Sequence, residues 1–485
     1  MELFILVIYA IPLVFIFSYS LVQLSLIINY LGGRQSAVGG RQLALGEEHP
    51  FVTIQLPIYN ELYVVERLID AVTAFDYPKA RFEILVLDDS TDETVEIIAR
   101  KTKEIQSLGI DIQHIRRTDR KGFKAGALAH GMQICKGEFI AIFDADFVPP
   151  KDFLLKTIPH FAESNVGVVQ TRWQHLNENY SLLTQLQAFG LDAHFTIEQG
   201  GRNAKNHFIN FNGTAGIWRK STIEDAAGWE ADTLTEDLDL SYRAQMRDWK
   251  FVYLENVGCP AELPVTMSAV KSQQYRWTKG AAECVVKNLR KLLSDSHLSI
   301  STRLHGFYHL MNSAVFVAVF FLSILSLPVM LITSGSDRFD VFFRYTALFQ
   351  VSWVILGCFY WISFQKTGLG FFEFVKRFVL FLLFMMGLSF HNSIAVVEGW
   401  LGRKTPFVRT PKFNVNNQSD SLQENKYLTK SLGKSTWIEL LLMLYFIAVL
   451  VIEIYLNNFG LVPFHLMLIA GYGSVLFYIF KQARH

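Results

Sequence analysis

Three stretches of this 485-residue chain are apolar over lengths that match a lipid bilayer, and inside a bilayer backbone polar groups must be satisfied within the segment itself. Runs of 20 or more apolar residues therefore have to be helices. Residues 3–30 form the first run, and 304–400 and 436–481 are also mostly apolar, whereas 34–303 hold most of the charge. The overall 51% hydrophobic and 18% charged content averages two unlike populations. The expected architecture is a polar domain held between membrane helices.

Residues 3–30 exceed a signal-peptide core and lead into no small-residue cleavage site, so a membrane helix at 1–33 is expected; the competing reading is a buried core helix. Only Glu2 precedes the run while Arg34 and Arg41 follow, which puts the N-terminus outside a cell membrane and the polar block in the cytosol. Further spans are expected at 305–333, 345–363, 437–455 and 461–480. Residues 371–400 carry Lys376 and Arg377 before and Arg403 and Lys404 after their apolar centre, so an in-plane or re-entrant element is expected, with a sixth span as the alternative. The five crossings leave Lys481 and Arg484 inside. Residues 281–293 place Lys287, Arg290 and Lys291 opposite Val285, Val286, Leu289 and Leu292, which suggests an interfacial amphipathic helix over 281–303; an ordinary surface helix competes. Asn414, Asn416, Asn417, Ser419 and Ser421 mark 401–435 as a polar loop. The segments expected are thus 1–33, 34–280, 281–303, 304–400, 401–435 and 436–485.

A net charge of +1 offers nothing to nucleic acid. Cys135, Cys259, Cys284 and Cys358 form no CxxC pair, which argues against a zinc site or disulfide framework and fits a reducing compartment. Within 50–172, short β-branched strands at 52–56, 84–87, 110–115 and 139–143 alternate with helical periodicity at 62–75, 91–108 and 124–134. Helical spacing recurs at 182–198. That alternation predicts an α/β fold with a parallel, doubly wound sheet, whose ligands bind beyond the carboxyl ends of the strands.

Four polar stations stand out. Asp144 and Asp146 follow the 139–143 strand; if the strand continues, both carboxylates share a face and can grip a hard divalent cation. Asp88 and Asp89 also end a strand, in a DDSTD run that could serve as a helix cap or hold a base or ribose. Thr235-Glu236-Asp237 opens a helix; Thr235 could cap it, while a carboxylate shielded by Leu238, Leu240 and Tyr242 could have a raised pKa and act as a general base. Gln273, Arg276 and Trp277 form QxxRW, joining a phosphate-binding fork to an aromatic platform for a sugar ring. Gly213, in Phe211-Asn212-Gly213-Thr214, allows close backbone approach to a ligand.

In this order the stations resemble the processive, membrane-integrated family 2 glycosyltransferases of GT-A fold, which include cellulose, hyaluronan and chitin synthases. The resemblance spans residues 50–480. The stretches 169–173, 211–216 and 273–277 are most similar to the cellulose-synthase-like glucomannan synthase group. It implies that Pro57, Tyr59, Asn60 and Glu61, with Asp88 or Asp89, hold base and ribose. Lys124 and Asp144 would face the nucleotide, and Asp146 would hold Mg²⁺ or Mn²⁺ on the diphosphate. Asp237 would be the catalytic base. Gln273 and Arg276 would frame the pyrophosphate, with Trp277, Gly213, Thr214 and Glu236 on the acceptor side. Phe407, Arg409, Thr410 and Lys412 lie in a stretch similar to the gating loop that closes over bound nucleotide. The implied reaction is inverting transfer of a hexose from UDP-glucose or GDP-mannose to a growing β-linked glycan that is translocated across the membrane. The alternative is a single sugar added to a ceramide-type lipid. A degenerate, non-enzymatic scaffold is disfavoured because every expected catalytic position is filled. The chain departs from bacterial cellulose synthases in having one N-terminal membrane helix, and with no cyclic-di-GMP-binding tail after the last span, regulation by that messenger is not expected.

Overall fold

The computed structural model describes residues 1–33, 49–334, 347–415, 420, 425–428 and 433–484. Arg34, Arg41, Asn416, Asn417, Ser419, Ser421 and positions 345–346 of one expected span lie outside the described residues.

The polar domain is built on a seven-stranded sheet: β1 (Val52–Ile58), β2 (Phe82–Asp88), β3 (Ile112–Arg116), β4 (Phe139–Ile142), β5 (Val166–His175), β6 (Gly216–Arg219) and β7 (Lys250–Ala261). Their order is β3-β2-β1-β4-β6-β5-β7. The first four strands pair in parallel, as the strand-helix alternation implies. The sheet as a whole is mixed rather than all-parallel, because β6 runs antiparallel to both β4 and β5. The βαβ rhythm ends at β4. An antiparallel insertion needs no crossover helix of its own, so periodicity gave no sign of β6.

Both faces of the sheet are buried. Ile54, Leu56, Ile84 and Val86 pack against Val65, Leu68, Ile69 and Ile98 from the helices Val65–Thr73 and Thr94–Ser107. The alternate residues Leu85, Leu87, Ile140 and Ile142 pack against Ala125 and Leu128 of the helix Phe123–Ile134. Helices on both faces leave the strand ends free, and the carboxyl ends of β1, β2 and β4 open to one side.

Among the described residues, five helices are long and apolar enough to cross a membrane: Glu2–Gly33, Ile300–Ile332, Leu348–Thr367, Ser435–Tyr455 and Val462–Ala483. The first is fastened to the polar domain. A Cβ added to Gly201 would collide with the carbonyl oxygen of Leu26, so the two backbones lie in close contact. Residues 371–400 form two helices, Phe371–Gly387 and Ser389–Trp400, bent by 52°. Gly387 sits against the backbone of Gly471, and Gly399 against that of Lys279, so this bent pair joins the last span to the helix Met267–Ser294.

The boundary drawn at 280/281 falls inside that single 28-residue helix. Ala281, Ala282, Cys284, Val285 and Leu292 are buried against protein. Lys287 Nζ pairs with Glu230 (2.5 Å), Asp232 (2.7 Å) and Asp239 (2.9 Å). The expected interfacial helix is thus the second half of the QxxRW helix.

Candidate active site

One cavity gathers stations that are far apart in sequence. Of the expected residues, Pro57, Tyr59, Glu61, Asp89, Lys124, Asp144, Asp146, Gly213, Glu236, Asp237, Gln273, Arg276, Trp277, Phe407, Arg409, Thr410 and Lys412 line it. Pro57, Asp89 and Asp144 arrive from the carboxyl ends of β1, β2 and β4, the edge where an α/β sheet binds its ligands.

Asp144 and Asp146 lie beyond β4, in a turn in which Phe147 N donates to Asp144 O at 3.1 Å. They face one cavity because of that turn and not through strand alternation. Each carboxylate holds a lysine: Lys124 Nζ donates to Asp144 Oδ1 at 2.6 Å, and Lys412 Nζ to Asp146 Oδ2 at 2.7 Å. Burial alone would lower the Lys124 pKa, but Asp144 and Glu236 outweigh it and raise it.

Lys124 Nζ also donates to the carbonyl of Gly213 at 2.9 Å. Gly213 has φ +78°, and a Cβ there would lie 2.9 Å from Asp237 Oδ2. The left-handed glycine thus lets the 211–214 loop press against the Asp237 carboxylate. That loop is secured from behind. Asn212 N donates to Gln170 Oε1 (3.0 Å), Phe211 N to Ser241 Oγ (2.9 Å), and Asp144 N to Thr214 Oγ1 (2.9 Å). Thr214 therefore braces the DxD turn from a buried position and does not line the cavity.

Asp237 sits in the first turn of the helix Glu236–Gln245, with Oδ1 accepting from Leu238 N at 2.9 Å. Burial, reinforced by the neighbouring Glu236 carboxylate, raises its pKa despite Lys124. Glu236 is raised by burial too. Thr235 makes no side-chain cap; its hydroxyl lies 3.4 Å from Cys284 Sγ.

Asp88 and Asp89 divide their work. Asp88 is buried away from the cavity, 2.7 Å from His114 Nε2 and accepting from Ser90 N at 2.8 Å. Asp89 reaches the cavity and takes two hydrogen bonds from Arg117, one of them from Nε at 2.9 Å. Asn60, at φ +55°, also stays outside; its Oδ1 accepts from Thr91 N at 2.8 Å, tying the ends of β1 and β2 together.

The 407–412 segment lies over the cavity. Arg276 donates to Thr410 Oγ1 at 3.2 Å and lies 4.8 Å from the Phe407 ring, which stacks on Phe123 at 5.7 Å. Arg409 pairs with Glu61 at 2.8 Å over the Tyr427 ring. Burial pushes Glu61 up to about 7 even against that arginine. The segment continues onto Glu262, which accepts from Phe413 N (2.8 Å) and Asn414 N (3.0 Å). Trp277 faces Trp173 with ring centroids 6.4 Å apart.

Thr235 and Asn212, named from the sequence only as a cap and a loop residue, also line the cavity, as do Arg120, Trp173 and Glu262, to which the sequence reading gives no role. Arg120 stands four residues before Lys124 in a basic run, and Glu262 is a lone acid in an apolar stretch; both were visible signals. Trp173 follows a register slip between Thr171 and Arg172 in the β5–β7 pairing, an irregularity of the kind that re-aims side chains beside sites. Among the described residues, Glu230, Asp232 and Asp239 form a cluster with metal-ligand spacing, but Lys287 already occupies it.

Residues 49–280 match the family described as "Glycosyltransferase like family 2". The match takes in the whole seven-stranded sheet and covers a little under half of the chain. Among curated relatives, the chain is 42% identical over 281 residues to "Probable glucomannan 4-beta-mannosyltransferase 4" of Oryza sativa subsp. japonica, covering 56% of this chain and 50% of that protein. It is 41% identical over 265 residues to "Glucomannan 4-beta-mannosyltransferase 1" of the same plant, covering 54% and 51%. The chain thus spans about half the length of the curated relatives it matches. Among solved structures, the mannosyltransferase PcManGT from Pyrobaculum calidifontis, in complex with GDP-Man and Mn²⁺, superposes with a TM-score of 0.55 at 18% identity, over 80% of this chain and all of that one. That likeness establishes the glycosyltransferase fold in this chain.

Proposed function

We propose that the chain is an inverting hexosyltransferase that takes mannose from GDP-mannose and adds it to a growing β-linked glycan. The observation that carries this reading is the convergence of Asp146, Asp237 and Trp277 on one cavity. The names of the rice relatives support mannose and a β-linkage, and they move mannose ahead of glucose as the transferred sugar.

Asp237 is the general base. Its raised pKa lets it take the proton of the acceptor hydroxyl near neutral pH, and that oxygen attacks the anomeric carbon of the donor. An α-linked donor then gives a β-linked product. Arg276 and Lys124 stabilise the charge that develops on the departing diphosphate. Trp277 stacks the acceptor sugar. Asp144 and Asp146 have the chemistry to hold Mg²⁺ or Mn²⁺: two carboxylates facing one cavity, with the Lys412 ammonium standing where a cation would meet Asp146. When bound, such an ion supplies neutralising charge to the diphosphate. Phe407, Arg409, Thr410 and Lys412 form the lid over the nucleotide. The polar domain faces the cytosol from a cell membrane, and the helices after residue 304 lead the glycan outward.

A donor screen with purified full-length protein and Mn²⁺, read as nucleoside diphosphate release, tests the donor. Size-resolved labelled product tests the acceptor: a long glycan is expected. A lipid-extractable monoglycoside would overturn the polymer reading, and release from UDP-glucose alone would overturn the donor assignment.

A further inference from the structure

Two arginines stand at the Asp89 end of the cavity, and they are used differently. Arg117 has its donors committed: it holds Asp89 and also donates to the carbonyls of Lys121 (2.9 Å) and Phe123 (3.1 Å). Arg120 lines the cavity, yet among the described residues it donates no hydrogen bond, and its Nε is buried without a partner. Its guanidinium carbon lies 3.3 Å from the centroid of the Tyr59 ring and 5.0 Å from that of Phe123. A partly desolvated cation with unused donors needs a partner, because leaving such donors unsatisfied is costly.

We propose that Arg120 reads the base of the donor nucleotide and makes the site prefer guanine to uracil. The diphosphate-binding groups Lys124, Asp144, Asp146 and Arg276 are separate side chains, so the Tyr59–Arg120 pair is left for the planar part of the ligand. A guanidinium fork presents two parallel N–H groups. Guanine offers O6 and N7 side by side, a matching pair of acceptors, whereas uracil offers a single carbonyl on that edge. The Asp89 carboxylate, oriented by Arg117, supplies an acceptor for the ring N–H of the same base. This inference rests on the nucleotide-sugar reading above and adds the base to it.

The test is calorimetric binding of GDP and of UDP, each with Mn²⁺, to the purified full-length protein and to Arg120→Ala and Arg120→Lys. The wild type should prefer GDP. Arg120→Ala should lose about 10- to 100-fold in GDP affinity, the range of one bidentate base contact, while UDP affinity changes less than about threefold. UDP binding is thus the control for folding. Arg120→Lys keeps the charge without the fork and should recover only a minor part of the loss. An equal loss for both nucleotides, no loss for either, or full recovery by lysine would overturn the role of Arg120 and leave the GDP-mannose assignment standing. A wild type that prefers UDP, or binds neither nucleotide, would overturn both.

Discussion

Replacing Asp237 with Asn should inactivate the enzyme and, at the same time, make it more stable in alkaline buffer. Asp237 is buried beside Glu236, and its pKa is raised from 3.8 to about 7. The folded state therefore holds the proton more tightly than the unfolded chain does. Above pH 3.8 the unfolded chain ionises first, so this carboxyl increasingly disfavours folding as pH rises, with the full effect reached above about 7. At 1.36 kcal/mol per pH unit, the rise from 3.8 to about 7 corresponds to roughly 4 kcal/mol at pH 8. Asp237 and Glu236 lose their protons as one buried pair and share this cost, so that figure is an upper bound and the expected gain from an uncharged amide is on the order of 1 kcal/mol or more. The Asn oxygen can still accept from Leu238 N. Melting curves of wild type and Asp237→Asn should separate by several degrees at pH 8 and converge as the pH falls toward 4. As the proposed base, the same carboxyl has to be ionised to act, so wild-type kcat/KM should fall about tenfold per pH unit below about 7. The variant should lose roughly 10²- to 10⁴-fold in kcat, the usual range for a general base, while binding nucleotide nearly as before. Matching melting curves at both pH values, or an equal loss of turnover and nucleotide binding, would refute a desolvated catalytic base at this position.

Three further outcomes follow, two from contacts at the cavity and one from a buried ion pair between the QxxRW helix and a membrane helix. Gly213→Ala, at φ +78° with its Cβ 2.9 Å from Asp237 Oδ2, should cost about 1–3 kcal/mol of stability and abolish transfer; denaturant titration and activity check both. Glu262→Gln replaces the carboxylate that accepts from Phe413 N and Asn414 N, so the donor KM should rise about tenfold with a small change in kcat, in line with charge-assisted hydrogen bonds of about 1.5–3 kcal/mol. Lys271→Met leaves buried Glu439 without its 2.6 Å partner and should destabilise the protein by about 3–5 kcal/mol, seen as a large drop in the melting temperature in detergent. Adding Glu439→Leu should restore much of it.

Much of this protein is legible without coordinates where the signal is local. Apolar runs longer than 20 residues can only be helices in lipid, and strand-helix alternation from Val52 to Ile142 dictates parallel pairing. Asp144, Asp146, Asp237 and the QxxRW residues stand out because their chemistry exceeds what capping or solvation requires. Which acid does what is a different matter. Asp88 and Asp89 are neighbours in the chain, yet His114 and Ser90 bury one while Arg117 holds the other at the cavity. Asp144 and Asp146 face one cavity, but their shared orientation comes from a turn braced by Thr214 and not from strand pleating. Lys287 belongs to a basic stripe that reads as a lipid contact, whereas three carboxylates from other segments pair with this lysine. Strand β6 and the availability of Arg120 likewise depend on partners 40 or more residues away, or on partners that never arrive. Periodicity and residue chemistry act within a few turns of chain, so the sequence alone determined the elements and the kind of chemistry; desolvation and ion pairing are settled between distant segments, so only the tertiary structure decided which of these groups face the cavity and which are held by other side chains.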